Sequence, residues 1–415
     1  MRHIIIFLFF AFYSSCAFTQ NDNNVNQFKK KNVVKEYKNF YKAANYSKAF
    51  EIVYNSITKY DQAANDCDLI LMAMDSKYQL YLDENKKLFL NNNADTTKFF
   101  GHIYDVYEYG LKLDSLVSKS RVDLSERQKR KIQSDVSDKL LVLRDNLLSG
   151  GKYLLKKKKY NEAFKYLDMY LSTMPKFFVL SSENTLYADM NDSVSISKLA
   201  VHAAYGSHRY DDVIRYLPLA VKDSVRKELI LEMGAKAAMQ IRDSANLEFV
   251  LREGFDNYPN NDFFKANIIQ FYHARGESDK ALSAIDKCID LDSLNTKYWK
   301  LKGNELLAMG QLENAKKVYL HIMDLNSYEY ETASVLGNLF LKEAHDFFDS
   351  SDLNLESPDY RRNRNVLVDL YTSAQKYFEI AMLLKPSQPE LWKEGLLEIY
   401  LKLNKGRELE IIESM

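Results

Sequence analysis

The chain has little of what interrupts helices: 13 glycines and 6 prolines in 415 residues. Folds built from many tight turns need more of both. Their scarcity, with Leu, Lys, Glu and Ala throughout, favours long helices joined by short turns. The chain also lacks net charge, with Lys plus Arg and Asp plus Glu equal at 57 each. That balance removes the electrostatic footprint of a protein that wraps nucleic acid, so no nucleic-acid partner is expected. Cysteine is sparse too: Cys16 falls in an N-terminal leader, and only Cys67 and Cys288 remain, far apart. Without a dense cysteine framework, stability has to come from helix packing. Apolar side chains are plentiful, at 46% of residues with 13% aromatic, enough for a large ordered core.

The first twenty residues, MRHIIIFLFFAFYSSCAFTQ, have a short basic start, an apolar core from Ile4 to Phe12 and small residues after it. A bilayer-spanning helix needs about 20 apolar residues, so this shorter run reads as a secretory signal over 1–20. Ser15-Cys16-Ala17 and Ala17-Phe18-Thr19 both offer small-x-small cleavage sites. Tyr13-Ser14-Ser15-Cys16 also resembles a lipobox, with Tyr13 where the pattern prefers an aliphatic residue. Both routes predict an exported protein, periplasmic or outer-membrane associated. Membrane contact is expected only if Cys16 is lipidated.

Gly303 is followed 34 residues later by Gly337, Gly310 is preceded 34 residues earlier by Gly276, and Ala315 by Ala281. A fixed period of that length marks a stack of helix pairs. Frames laid from Trp299 give contiguous units at 194–227, 228–261, 262–295 and 296–329. Within the last, Trp299, Gly303 and Leu306 fall on one face of a first helix, and Ala315, Tyr319 and Ile322 on one face of a second. Small residues at 303 and 315 let the two axes approach, and Gly310 marks the turn.

This arrangement resembles the tetratricopeptide repeat (TPR), whose pattern runs Trp, Leu-Gly, Tyr, Ala, Phe, Ala, Pro. Trp299 and Trp392 occupy its Trp place, and Pro175, Pro259 and Pro386 its closing Pro place. A unit at 144–177 carries Gly151, Tyr160, Ala163, Leu167 and Pro175 in register, and a divergent one at about 30–63 carries Tyr46, Ala49 and Val53. The resemblance implies an all-α fold, an α-solenoid coiled as a right-handed superhelix, over most of 144–402. Val213 and Leu247 depart from the small residue of the second helix, and Pro218 lies inside one, so splayed units and a bend are expected there. Behind an export signal, the chain also looks like the exported TPR proteins of Bacteroidota with no assigned reaction.

Trp299 and Trp392 are two periods plus 25 residues apart, and Ala315 and Ala374 one period plus 25. The extra residues, about 342–366, therefore lie in the unit 330–388. LKEAHDFF reads as an extended first helix, DSSDLNLESPD as a loop and YRRNRNVLVDLYTSAQKYF as a lengthened second helix, predicting a projecting helical arm. A smaller insertion falls at about 178–193. A final helix over about 389–402, starting at Trp392 and without a full partner, reads as a cap. Residues 21–143 form a separate N-terminal helical region in this reading. Within it, 64–143 is helical by composition but has no register, and ENKKLFLNNNADTT is the expected loop.

In TPR proteins the first helices line a concave groove used for peptides or helices. The positions in register are Lys198, His202, Tyr205, Glu232, Lys236, Gln240, Gln270, His273, Lys300, Asn304 and Asn338. An ordinary solvated face is the competing reading. Lys300 and Asn304 match the start of a carboxylate clamp, but Val335 stands where a second Asn is wanted, and Glu390 and Glu394 where Lys and Arg are wanted. Two acidic residues would repel a carboxylate, which excludes that partner class.

Catalytic patterns are thin. Ser195-Ile196-Ser197-Lys198 fits Ser-x-x-Lys without its partner motifs. Gly276-Glu277-Ser278 resembles the Glu-Ser pair of peptidoglycan-cleaving transglycosylases but sits at a repeat turn. His202 and His208 are six apart, whereas helical metal ligands need three or four. No cofactor, metal or catalytic residue is assigned. LLKKKKY reads as solvated surface, and Arg361, Arg362 and Arg364 would either grip an acidic partner or lipid headgroups, or keep the arm soluble. The expected function is a noncatalytic protein-interaction scaffold. The alternative is an envelope hydrolase or glycan-processing factor with its site in 64–143.

Overall fold

A computed structural model describes residues 28–90, 93–118, 124–173 and 185–415, with backbone alone over 185–192. The expected leader with Cys16, Pro175 and the first part of the insertion, 178–184, lie outside the described residues, while 185–193 form the start of a helix. Among the described residues there are nineteen α-helices and no strand. The chain divides into two compact units, Met1–Ala203 and Ala204–Met415.

The first unit contains α1 (Lys30–Lys42), α2 (Tyr46–Lys59), the single turn α3 (Asp61–Ala64), α4 (Cys67–Phe89), α5 (Thr96–Ser118), α6 (Glu126–Lys156) and α7 (Tyr160–Thr173). Helix α8 (Thr185–Gly206) carries the division between the units. The stretch without register is thus made of helices longer than a repeat allows: α4 and α5 have 23 residues each and α6 has 31. The boundary expected at 143/144 falls inside α6, because the first helix of the 144–177 unit continues upstream without a break. The capping box of Ser125 and Gln128 starts that helix far from the repeat. ENKKLF, the first part of the expected loop, forms the last turns of α4. Ile70, Met74, Ile103, Tyr107, Leu140 and Phe164 fill the core of this unit. The Tyr107 hydroxyl donates to the Leu140 carbonyl at 2.7 Å.

The second unit continues with α9 (Tyr210–Ala220), α10 (Lys227–Ile241), α11 (Ser244–Asn257), α12 (Asp262–Ala274), α13 (Ser278–Leu291), α14 (Thr296–Ala308), α15 (Leu312–Leu325), α16 (Tyr330–Ser350), α17 (Tyr360–Leu384), α18 (Lys393–Lys402) and α19 (Gly406–Ser414). Apart from the longer α16–α17 loop, each turn inside a helix pair of this unit is closed by a residue at positive φ, and four of these, His208, Arg242, Gly276 and Gly310, are 34 apart. At Gly276, for example, the N–H donates to the His273 carbonyl, and that of Glu277 reaches back to the Tyr272 carbonyl. Such reverse bonds satisfy carbonyls that the helix end leaves orphaned. Ala44 and Lys158 close the α1–α2 and α6–α7 turns in the same way.

Where a glycine is absent, the left-handed conformation is a strain of about 1–2 kcal/mol. Arg242, exposed at φ +58°, is such a position. We expect Arg242→Gly to stabilise the protein by about 1 kcal/mol, the unfolded-state entropy of glycine offsetting part of the relief. The test is the urea midpoint, and a fall would show that arginine is held there by its side chain.

The small residues of the repeat prove to be notches. A Cβ on Gly303 would lie 2.6 Å from Cζ of Tyr319, on Gly234 2.9 Å from Leu217, and on Gly254 2.3 Å from Phe264. Of these, only Gly303 is an expected small position, and the closest approach is at Gly254. It places an aromatic ring of one first helix, α12, against the backbone of the preceding second helix, α11. Pro218 does not bend a continuing helix, since α9 ends two residues later at Ala220. Trp299 is only half-buried, at the margin of the core, and its indole N–H donates to the Ser293 carbonyl at 2.9 Å.

The lengthened pair α16–α17 is present, but most of it is braced. Leu341, Ala344, Leu367 and Tyr371 belong to one core cluster with Ile399 and Tyr400 of α18 and Ile412 of α19. The expected lone cap is also corrected. Pro389–Leu391 forms a 3-10 turn, α18 starts at Lys393, and α19 packs against it after a turn closed by Asn404 at φ +53°. Trp392 is 2% exposed and sits before the helix rather than on it, its indole N–H donating to the Lys385 carbonyl at 3.2 Å. Among the described residues, no helix is long and apolar enough to cross a membrane.

Candidate functional site

The eleven expected groove residues all lie on first helices, but in two units. Lys198 and His202 belong to the first unit, where the His202 and Tyr160 rings are 5.8 Å apart. The remaining nine belong to the second. On α10, Glu232 and Lys236 pair at 3.3 Å, Lys236 lies 4.9 Å from the Phe263 ring centroid, and the Asn261 amide donates to Glu232 at 2.9 Å. Gln240, one turn further on, is exposed. Tyr205 meets the Tyr210 ring at 6.2 Å. Asn338, on α16, donates to the Ser334 carbonyl of its own helix at 2.9 Å.

Lys300 is engaged as well. It pairs with Glu329 and, at 3.4 Å, with Glu331, while Thr296 donates to Glu329 at 2.9 Å. Burial opposes the charge on Lys300, but the two carboxylates outweigh it and raise its pKa. Burial likewise opposes the charge on Glu329, and Lys300 with Thr296 outweighs it, holding the carboxyl below its ordinary range. A lysine already held between two carboxylates is a poor clamp for a third. The geometry therefore agrees with the sequence argument against C-terminal carboxylate capture.

Three of the predicted residues do converge. Gln270 and His273 on α12 and Asn304 on α14 line one cleft of about 650 Å³. Its apolar walls are Ala266 and Ile269 on α12, Ile285 on α13, and Tyr298 and Leu301 on α14. The Tyr319 hydroxyl donates to Oδ1 of Asn304 at 2.6 Å, which orients the amide so that Nδ2 is the donor it offers a ligand. Glu305, also in the lining, is buried with only 5% of its side chain exposed, and its Oε2 lies 2.7 Å from Nδ1 of His273. At the cleft's edge Lys265 and Asp262 pair at 2.7 Å.

Sequence reasoning missed Glu305, Tyr298, Leu301 and Ile269. Counting by four along α14 selects 300 and 304 and passes over 301 and 305, although a helix face wide enough to form a groove includes both. One signal was available: Glu305 follows His273 by nearly one repeat period, which sets the two on adjacent first helices.

Elsewhere the reactive groups have structural roles. Glu84, in the 64–143 region, accepts from Lys87 at 2.6 Å and from the Asp95 backbone at 3.0 Å, tying the end of α4 to the start of α5. His102 is half-buried, and its burial, followed by the Lys77 charge, lowers its pKa. Cys67 and Cys288 are buried free thiols; burial pushes both up, Cys288 to about 11, which suppresses thiolate chemistry. Among the described residues, no three His, Cys, Asp or Glu side chains could hold a metal ion together.

No protein-family model matches the chain, and no curated protein matches it in sequence. Solved structures are similar to it. The C-terminal part of a TPR repeat-containing protein from Cytophaga hutchinsonii is 14% identical over 64% of this chain and 92% of that one, with a TM-score of 0.37. A TPR repeats protein from Bacteroides fragilis is 18% identical over 62% and 98%, with a TM-score of 0.29. Yeast Tom70 is 10% identical over 92% and 90%, with a TM-score of 0.31. The likeness is one of fold: the chain is similar to TPR solenoids, all-α stacks of helix pairs.

Proposed function

We propose that this protein is a noncatalytic scaffold of the cell envelope that holds a partner protein or peptide in the cleft between α12 and α14. The carrying observation is the cleft itself: apolar walls flanked by Gln270 and Asn304, whose amides suit a peptide backbone. The sequence of residues 1–20 supports export to the periplasm or the outer membrane.

The direct test is affinity capture from detergent-solubilised envelope with the parent and Leu301→Asp in parallel. Leu301 is 40% exposed on the cleft wall, so the substitution leaves the core intact while placing a charge against any apolar ligand. At least tenfold lower recovery of a captured protein by the variant is expected. Equal recovery of every captured protein would remove the cleft from the binding surface.

A further inference from the structure

The α12–α14 cleft contains a buried charge with no fixed cation of its own. Two carboxylates line it. Asp262 is paired with Lys265 at 2.7 Å, whereas Glu305, 5% exposed, faces His273, which is charged only when protonated. A carboxylate taken out of water needs a cation or strong donors to compensate it. An imidazole meets that need in part, and that of His273 is 62% exposed, so it can swing outward without disturbing the core. Ile269, Ile285 and Leu301 line the same cleft as Glu305. A lysine or arginine side chain matches such a lining: an apolar stem with a charged, hydrogen-bonding end. Lys297 also lines the cleft, but it is exposed, and its charge is screened by solvent where that of Glu305 is not.

We infer that the cleft selects a basic side chain of the bound peptide, with Glu305 accepting its ammonium or guanidinium group in place of His273. Ile269, Ile285 and Leu301 hold its stem, and Gln270 and Asn304 bond the peptide backbone beside it. This rests on the reading of the cleft as a peptide site, and it names the side chain that the site selects. No bond is made or broken, and the charge on Glu305 is balanced by the incoming cation.

The test uses an immobilised library of nine-residue peptides, randomised except for a central residue fixed as arginine, lysine, citrulline or glutamate. Retention of the full chain is compared with that of Glu305→Gln, His273→Ala and Leu301→Arg, the last placing a cation in the cleft that would repel a basic side chain and compete for Glu305. The arginine and lysine sets should retain the parent about tenfold more than the citrulline set. Glu305→Gln should abolish that preference, and His273→Ala should enlarge it by removing the competitor. Retention that is lost with Leu301→Arg yet equal across the four sets would overturn this inference and leave the peptide site standing. Retention unaffected by Leu301→Arg, or none in any set, would overturn both. If Glu305→Gln melts below the assay temperature, His273→Ala decides alone: a gain for basic peptides supports the inference, and an unchanged or reduced preference overturns it.

Discussion

Phe378→Ala should lower the unfolding free energy by about 3–5 kcal/mol, the range for emptying a fully buried aromatic site. The ring is 2% exposed and lies between two glycines of different helices. A Cβ on Gly337 of α16 would lie 2.8 Å from it, and one on Gly395 of α18 only 2.4 Å. Neither glycine has a side chain that could move into the space, so collapse would require backbone movement, and the upper part of the range is expected. Urea denaturation followed by circular dichroism measures the change. A midpoint within error of the parent would mean that α16, α17 and α18 are not packed around this ring.

The converse substitution, Gly303→Leu, should cost about 1–3 kcal/mol through overpacking. Even the first added carbon would stand 2.6 Å from Tyr319, whose hydroxyl is bonded to Asn304 at 2.6 Å, so the ring cannot retreat without giving up that bond. The variant therefore couples stability to the cleft, since Asn304 lines it. Both should fall together in a melting experiment and in the peptide-retention assay. A parental melting temperature would reject the packing of α14 against α15 described above.

Much of this fold was legible in the sequence because the period of 34 is written in residues with a steric reason to recur. Gly276 and Gly310 close turns at positive φ, and Gly303 admits a ring. The same turn at His208 and Arg242 was invisible, since those residues adopt the glycine conformation under strain and carry no compositional mark. The long helices α4 to α6 lacked register because they have none: turns do not recur along them at a repeat spacing, and Ser125 caps α6 far upstream of the unit it enters. The last helix, α19, was missed because its nine residues bury only Ile412, too little for a periodic signal. At the candidate site, the sequence located the helices that line the cleft and three of its polar residues. It could not reveal Glu305 as buried, because the burial arises from contact across two repeats.

The ring-in-notch contacts also constrain how the second unit can move. Phe264 against Gly254 and Tyr319 against Gly303 act as detents along the helix axes: an axial slide of either helix would drive a ring into neighbouring backbone or side chains. Rotation about the ring is not opposed in the same way. Widening of the cleft between α12 and α14 to admit a ligand should therefore proceed as a rocking of each first helix on its aromatic pivot, with the turns at Gly276 and Gly310 as the compliant joints. A partner would then sense the angular stiffness of two pivots rather than the shear strength of the whole stack.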